Sequence, residues 1–368
     1  MLIALVLAAQ VGATAQRFEF RQPHMGSVVT ITFYADDEAT ANRAATAAMA
    51  RIGALDRRLT DYDPRSELSR LSASSPTRSD ASGRWLPISG DLWTVLDAAR
   101  RIGEDSDGAF DITVGHLTRL WRRARRKHQL PDPLDLAAAE QSVGFEHLQF
   151  DEAHRQVRLR KPEMRLDLGG IAKGYAADQA LMELKRSGVR QALVNAAGNL
   201  ALGDPPPGSI GWRIVLAPDG DPTAFPESVT LKNCGVATSG DIWQFLELDG
   251  KRYSHILDPR TGVGLTTQAS ATVIAPSAML ADALATTACV LGPRTFEPVR
   301  EAANDIANHV DRATGERTES RLSPAFRRWP NVHVRLQWLD NGEARQFNSS
   351  DFPAIEPADP VPSNQPVR

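Results

Sequence analysis

The stretch LDLGGIAKGYAAD, residues 166–178, decides how the middle of this chain folds. An apolar run ends at Asp167, two glycines follow, and alanines recur at helical spacing from Ile171 onward, which is typical of a strand, a tight turn and a helix. The N-terminus of such a helix offers free N–H groups, and Lys173 adds a full positive charge in the first turn, so an anion such as a phosphate is a suitable ligand. A Gly-Gly turn also serves plain close packing in many proteins, so both interpretations stand on this stretch alone.

Length and charge limit the class of protein. The chain has 368 residues, which is enough for one large or two ordinary domains with a sizeable buried core. Its net charge of -3 gives no overall attraction to nucleic acid or anionic lipid, so we expect a small-molecule or protein partner and no nucleic acid. Cys234 and Cys289 are too few for a disulfide scaffold and lack metal-site spacing, and either a buried free thiol at Cys289 or a single disulfide fits the sequence.

The two ends of the chain differ from its middle. Residues 1–15 form an apolar run too short to span a membrane and end in an A-x-A cleavage pattern, so we predict a signal peptide and export, to the periplasm, although a basic leading segment is missing. Residues 341–368 are polar and rich in proline, which predicts a disordered tail. The domain is expected to occupy residues 16–340, with membrane contact only through a partner or an uncleaved N-terminus.

Strand-like and helix-like runs alternate along the chain, which favours a mixed α and β architecture. Residues 26–35 have the alternation of a strand, and residues 37–59 read as a long helix. A second helix is expected to begin after Ser89, which suits an N-cap. Residues 156–168 and 190–203 read as strands on either side of the helix described above.

A basic run lies between these elements. The stretch RLWRRARRKHQLPDP carries the cations Arg119, Arg122, Arg123, Arg125, Arg126, Lys127 and His128. We favour a solvated helix face, and the alternative is a docking patch for an acidic partner or for phosphates.

The stretch APSAMLADALATTACVLGP predicts a helix with Ser277 as its N-cap and Gly292 at its end. Asp282 and Thr286 are four residues apart on this helix, so their oxygens point the same way. Such a pair suits a hard cation such as Mg²⁺ that shares oxygens with a phosphate. Spacing alone favours the simpler interpretation, in which Thr286 bonds back to its own helix.

Three further polar stretches stand at the ends of expected elements. YSHILDPRTG places His255 before a turn, where it could take a proton from an attacking hydroxyl or be an ordinary half-buried histidine. The segments around Tyr62 and Phe110 each offer a ring on which a planar ligand could stack, or that could simply be core. Together with the two stretches above, they suggest one shared cleft.

Taken together, these stretches resemble the ApbE family, the FAD:protein FMN transferases. The matching segments, in family order, are HMGS (24–27), YDPRSELSRL (62–71), SDGAFDITVG (106–115), LDLGGIAKGYAAD (166–178), VNAAGN (194–199), ATSG (237–240), HILDPRTG (255–262) and ADALATTACVLG (281–292). The resemblance implies an α+β fold with mixed sheets and with helices in two lobes around a central cleft for FAD and Mg²⁺.

The resemblance also implies an activity. The family cleaves the pyrophosphate of FAD with Mg²⁺, moves FMN onto a threonine hydroxyl of an acceptor protein and releases AMP. The expected acceptor is a redox subunit with the pattern D-x-x-[ST]-G-A-T, which this chain lacks. Two alternatives are a Mg²⁺-dependent FAD pyrophosphatase that gives FMN and AMP, and a flavin-binding protein without turnover.

Roles for individual residues follow from the same resemblance. It implies that the Gly170 carbonyl and side-chain oxygens of Asp282 and Thr286 hold the metal. It gives the transfer chemistry to His255, with Asp282 as a second candidate for the base. The positions matched to FAD contacts are Met25, Tyr62, Ala109, Phe110, Asp111, Asp167, Lys173 and Ile256. Lys173 stands where some members have Glu, and no lipoprotein cysteine lies near the signal, so a lipid anchor is not expected.

Overall fold

The computed structural model describes residues 15–77, 83–216, 227–241, 244–295, 326, 328–340 and 342–358. The predicted signal peptide therefore lies, apart from Ala15, outside the described residues. Within these ranges the chain forms seven α-helices together with strands in five sheets, which confirms the α+β class. The helices are α1 (Glu38–Leu59), α2 (Glu67–Ala73), α3 (Gly90–Asp105), α4 (Gly115–Lys127), α5 (Pro133–Glu140), α6 (Ala172–Arg186) and α7 (Ala278–Leu291).

An antiparallel sheet of eight strands forms the centre of the molecule. The strands of the chain are β1 (Gln16–His24), β2 (Ser27–Ala35), β3 (Leu86–Pro87), β4 (Leu148–Asp151), β5 (Gln156–Leu159), β6 (Ala192–Ala196), β7 (Asn199–Leu202), β8 (Trp212–Leu216), β9 (Glu227–Leu231), β10 (Gly235–Gly240), β11 (Phe245–Leu248), β12 (Lys251–Ser254), β13 (Leu257–Asp258), β14 (Val263–Gly264), β15 (Ala269–Ala275), β16 (His333–Asp340), β17 (Glu343–Asn348) and β18 (Glu356–Pro357). The central sheet has the order β1-β2-β6-β7-β10-β15-β16-β17. Smaller sheets have the orders β18-β9-β8, β3-β5-β4, β11-β12 and β13-β14.

The two faces of the central sheet bury different cores. Side chains alternate between faces along a strand, so Ala237 and Val273 belong to the large core beneath α1, α6 and α7. Val236 and Ile274 point the other way and pack against the sheet β18-β9-β8. A third cluster, around Trp121 of α4, joins α4 and α5 to the hairpin β11-β12.

Helices α6 and α7 meet closely at Gly174. A Cβ atom on Gly174 would lie 2.1 Å from the carbonyl oxygen of Ala278, so this contact requires glycine. The Gly174 N–H donates to Asp282 Oδ2 at 3.0 Å. The carboxylate of Asp178 accepts the N–H groups of Ala278 and Met279, each at 2.9 Å. These bonds fix the position of α7 relative to α6.

Two predicted helix starts are confirmed by their caps. Ser89 Oγ accepts the Leu92 N–H at 3.2 Å, and Ser277 Oγ accepts the Leu280 N–H at 3.2 Å. Gly292 follows the last residue of α7 with a φ of 67°, as expected for a glycine that ends a helix.

The run at residues 166–168 is not a strand, contrary to the prediction. Arg165 forms an isolated parallel bridge with Val114, and the Asp167 N–H donates to the Ile112 carbonyl at 2.8 Å. The ladder does not extend because the partner segment, residues 112–114, leads directly into α4.

The expectation of a disordered tail from residue 341 does not fit residues 343–357. β17 pairs with β16, and β18 pairs with β9. Phe347 packs into the large core, so one apolar side chain anchors an otherwise polar strand. Residues 359–368, the end of the expected tail, lie outside the described residues.

Two further findings concern the cysteines and the membrane. Cys234 and Cys289 are both free thiols, so the single disulfide that the sequence allowed is not formed. No helix in the described ranges combines the length and hydropathy that a bilayer span requires.

The α6–α7 contact gives a stability prediction. Gly174→Ala places a methyl group against backbone, so we expect unfolding free energy to fall by about 1–3 kcal/mol or more, as in overpacked cores. Gly90→Ala is the matched control, because its Cβ meets nothing closer than 3.7 Å and glycine is a poor helix former. Urea unfolding followed by circular dichroism measures both, and equal midpoints for the two variants would contradict the packing argument.

Candidate functional site

The Gly-Gly turn before α6 is held by its own side chains. The Gly169 N–H donates to Asp167 Oδ1 at 2.8 Å, and Lys173 Nζ donates to the Gly169 carbonyl at 2.8 Å. No side chain at the N-cap position, Ile171, accepts the first N–H groups of α6. The Ala172 N–H donates to the Leu168 carbonyl at 2.9 Å and the Gly174 N–H donates to Asp282 Oδ2, so the helix dipole and the Lys173 charge, rather than a set of free N–H groups, favour an anionic ligand here.

Gly170, Asp282 and Thr286 come together behind this turn. A Cβ atom on Gly170 would lie 3.1 Å from Thr286 Oγ1 and 3.3 Å from the ring of Phe110. Thr286 Oγ1 donates to the Asp282 carbonyl at 3.3 Å, so it does bond back to its own helix, and it also contacts Ser239 Oγ at 3.2 Å. The structure thus places Gly170 beside the Thr286 side chain, and the Asp282 carboxylate lies at the first turn of α6, on the Gly174 N–H.

The Asp282 carboxylate is the charged group of this cluster. Its residue is 3% exposed, and burial raises its pKa, against the opposing effects of the Lys173 charge and the Gly174 hydrogen bond. A cation at the second carboxylate oxygen would stabilise the charged form. Across the described ranges no three His, Cys, Asp or Glu side chains converge as ligands. The donor set therefore fits a hard cation such as Mg²⁺ that binds one carboxylate and neutral oxygens.

Arg122 of α4 organises the other side of the site. It forms ion pairs with Asp61 and with Asp167, and its Nη2 lies 3.1 Å from Asp167 Oδ2. Burial and then the charge of Asp167 raise the pKa of Asp61. The guanidinium lies 4.5 Å from the ring centroid of Tyr62, which is 75% exposed. One face of the Tyr62 ring is thus held by the arginine.

His255 has a defined tautomer. Its Nδ1 lies 3.1 Å from the Gln244 carbonyl oxygen, and since a carbonyl only accepts, Nδ1 carries the proton and Nε2 is free to accept one. Burial, followed by the charge of Arg125, lowers the pKa of His255 to about 4. Arg125 Nη1 also donates to Gln244 Oε1 at 3.2 Å. His255 is therefore neutral near neutral pH.

Asp111 and Met25, two of the expected FAD contacts, have hydrogen-bond partners outside the Gly-Gly turn. Asp111 Oδ1 accepts the N–H and the hydroxyl of Thr113, each at 2.7 Å, and burial raises the pKa of Asp111 to about 6. The Met25 N–H donates to Asp56 Oδ2 at 2.7 Å. Within the described ranges no hydrogen bond or ion pair links Asp111 or Met25 to the Gly-Gly turn. Ala109 and Ile256 are buried members of the large core.

Sequence reasoning missed three residues of the site. The basic-run pattern favoured solvent for Arg122 and Arg125, yet both reach the site. A usable signal was their position directly after the apolar residues Trp121 and Ala124, which α4 buries. Ser239 lay unremarked in the segment ATSG and contacts Thr286.

Comparison with known proteins gives one consistent result. The ApbE family model matches residues 25–309. An FAD:protein FMN transferase of Klebsiella pneumoniae strain 342 is 33% identical over 310 residues, covering 82% of this chain and 86% of that protein. The protein of the same name from Salmonella typhimurium is 32% identical over 315 residues, with 82% and 86% covered.

Solved structures show the same fold. The apo form of the Pseudomonas stutzeri flavinyl transferase ApbE superposes with a TM-score of 0.73 at 29% identity, covering 91% of this chain and 95% of that one. The flavin transferase ApbE from Vibrio cholerae gives a TM-score of 0.73 at 25% identity, with 92% and 98% covered.

The His255 environment predicts a titration. From about pH 7.5 down to about pH 5.5, ¹⁵N NMR should show Nδ1 protonated and Nε2 unprotonated. Arg125→Gln removes a positive charge that disfavours the imidazolium, so the pKa of His255 should rise. Arg119→Gln, on the exposed side of the same helix, is the control and should leave it unchanged. A doubly protonated ring near pH 6.5 in the native chain would contradict the assignment.

Proposed function

This chain belongs to the ApbE family, and from that premise we propose that it transfers FMN from FAD to a threonine hydroxyl of an acceptor protein, with Mg²⁺ required and AMP released. The chain is a flavin transferase, as its family and relatives that carry the name FAD:protein FMN transferase show. The observation that supports cleavage of FAD with Mg²⁺ is the position of Gly170 beside the Thr286 side chain, with the Asp282 carboxylate at the first turn of α6.

FAD is the substrate, and the site offers a place for its charged and its flat parts. The positive end of the α6 dipole and the Lys173 ammonium suit the pyrophosphate. The ring of Tyr62, supported on one face by Arg122, suits stacking of a planar ring system. The Asp61–Arg122–Asp167 ion pairs keep the arginine in place beneath that ring.

The metal would be held by the Gly170 carbonyl and the side-chain oxygens of Asp282 and Thr286. When bound there, Mg²⁺ supplies neutralisation of the phosphoryl charge.

His255 supplies the proton acceptor. The threonine oxygen forms a bond to the phosphorus on the FMN side, the bond from that phosphorus to the bridging oxygen breaks, and AMP leaves with its electron pair. The hydroxyl proton passes to Nε2 of His255, which is unprotonated because Nδ1–H donates to the Gln244 carbonyl. Asp282 is a poorer base if it holds the metal, since ligation occupies its lone pairs.

Hydrolysis of FAD to FMN and AMP is the second candidate. Tyr62 is 75% exposed, so water can approach this side of the site when no acceptor covers it. A flavin-binding protein without turnover is the third, although a pure binder has no evident need for the Asp282–Thr286 pair. We also propose export, on the strength of the N-terminal apolar run and its A-x-A pattern.

The deciding experiment incubates the chain with FAD, Mg²⁺ and a small domain that carries D-x-x-T-G-A-T. Flavin fluorescence on the denatured domain together with an equal amount of AMP is the expected result, and a Thr→Ala acceptor should abolish the label. AMP and free FMN without label would instead establish the pyrophosphatase. Bound FAD without either product would leave only the binding protein.

A metal-site prediction uses two neighbouring threonines. Thr286→Val removes an expected ligand at constant shape and should lower the Mg²⁺-dependent rate by about 10–100-fold. Thr287→Val is the matched control, because Thr287 Oγ1 donates to the Ala283 carbonyl at 2.8 Å and lies in the same helix. The Mg²⁺-dependent rate of the Thr287→Val variant should fall less than about threefold.

Chelation completes the metal test. EDTA should stop turnover by the native chain, and added Mg²⁺ should restore it. An equal loss of rate in both threonine variants, or turnover that resists EDTA, would contradict the metal assignment.

A further inference from the structure

The outer side of α4 is the part of the basic run that the site does not use. Arg119, Arg123 and Arg126 are exposed, and we call them together the basic face. None of the three has an ion-pair partner within the described ranges. Seven other exposed arginines are paired with carboxylates, namely Arg17, Arg65, Arg101, Arg186, Arg190, Arg260 and Arg345. Scattered exposed arginines such as Arg43, Arg70 and Arg160 also have no ion pair within the described ranges, so what distinguishes the basic face is that its three arginines share one side of one helix.

Helix stability does not explain this arrangement. Arg119 and Arg123 are four residues apart, and like charges at that spacing destabilise a helix. Arg126 in the last turn interacts favourably with the helix dipole, but that interaction fades within one turn and does not reach Arg119. The chain as a whole is acidic, with a net charge of -3, so the basic face is a local feature.

The basic face is continuous with the site. At about 100° per residue, its three arginines span roughly 60° around the helix axis, and Arg122 lies only about 40° beyond Arg126. Arg122 pairs with Asp167 at the Gly-Gly turn, and Arg125 lies next in the same direction, beside Gln244 and His255. A large partner that reaches His255 from this side would cover the basic face.

We propose that the basic face docks an acidic surface of the acceptor protein, beside the hydroxyl that is to be modified. This inference rests on the proposed function, because a protein substrate needs contacts beyond the one residue that reacts. Complementary charge would mainly speed the encounter and select among acceptors, with an effect that salt screens.

The test measures acceptor labelling by the full chain with FAD and Mg²⁺. Two acceptor domains are used, both with D-x-x-T-G-A-T, one flanked by Asp and Glu and one with these changed to Asn and Gln. The native chain should prefer the acidic domain, and rising salt should remove the preference. In the triple variant Arg119→Gln, Arg123→Gln and Arg126→Gln, KM for the acidic domain should rise about tenfold, while KM for FAD stays unchanged.

A control variant removes the same charge elsewhere. Arg43→Gln, Lys185→Gln and Lys232→Gln neutralise three exposed cations on α1, on α6 and before β10. Their KM for the acidic domain should change less than about twofold, since screening limits charge effects to about 8 Å at physiological salt. Equal increases in both variants would overturn the proposal by showing an effect of net charge.

Direct binding separates this inference from the proposed function. Fluorescence anisotropy of the two labelled domains, without FAD, reports docking even if no transfer occurs. Equal affinity for both domains would overturn the docking proposal. A third outcome is that the native chain and the control variant bind a DNA duplex, the triple variant does not, and the two domains bind with equal affinity. That result would overturn the proposal and identify nucleic acid as the partner of the basic face. Absence of labelling by the native chain, with acidic-domain binding intact, would instead count against transfer.

Discussion

The contact between α6 and α7 at Gly174 is the constraint on which the rest of the site depends. It brings the backbone of one helix against the first turn of the other, with Gly174 N–H bound to Asp282 and Asp178 bound to the start of α7. Because Gly170 precedes α6 and Thr286 follows Asp282 by one turn, fixing this crossing also fixes the distance between the turn and the hydroxyl. The same short stretch therefore serves packing and chemistry together.

The contact between α6 and α7 buries two carboxylates, those of Asp178 and Asp282, and burial disfavours their charged forms. Burial raises the pKa of Asp178 to about 6, well above its ordinary value of 3.8. A carboxyl whose pKa is higher in the folded state binds more protons there than in the unfolded chain, so its contribution to stability decreases as pH rises from about 4 to about 6. Asp178 keeps its charge at neutral pH through two N–H bonds and the dipole of α7. Asp282 has one such bond and the charge of Lys173, which leaves it the more suitable of the two for a cation.

Much of this could be predicted from sequence, and the limits have physical causes. The capped helices at Ser89 and Ser277 follow from local rules, since a hydroxyl at an N-cap acts within three residues. The prediction of a strand at residues 166–168 was wrong, because an apolar extended segment has the same sequence pattern whether or not a neighbouring segment can pair with it. The contacts of Arg122 and Arg125 with the site were not predicted, because helical spacing gives the direction of a side chain around the helix axis but not which elements pack against it. His255 stands out in the sequence as a candidate base, but its tautomer depends on the Gln244 carbonyl, which is eleven residues away.

A hydrogen bond connects α4 to the segment that contains His255. The indole N–H of Trp121 donates to the carbonyl of Gly262, in the turn that follows His255, at 2.9 Å. The inward side of α4 is thus tied to the segment that carries His255, the proposed proton acceptor, while the outward side touches no other element through an ion pair in the described ranges. Substitutions on the outward side would leave this bond and the contacts of His255 in place. Within a lineage of such proteins, this helix would let the choice of partner diverge while the chemistry is inherited unchanged.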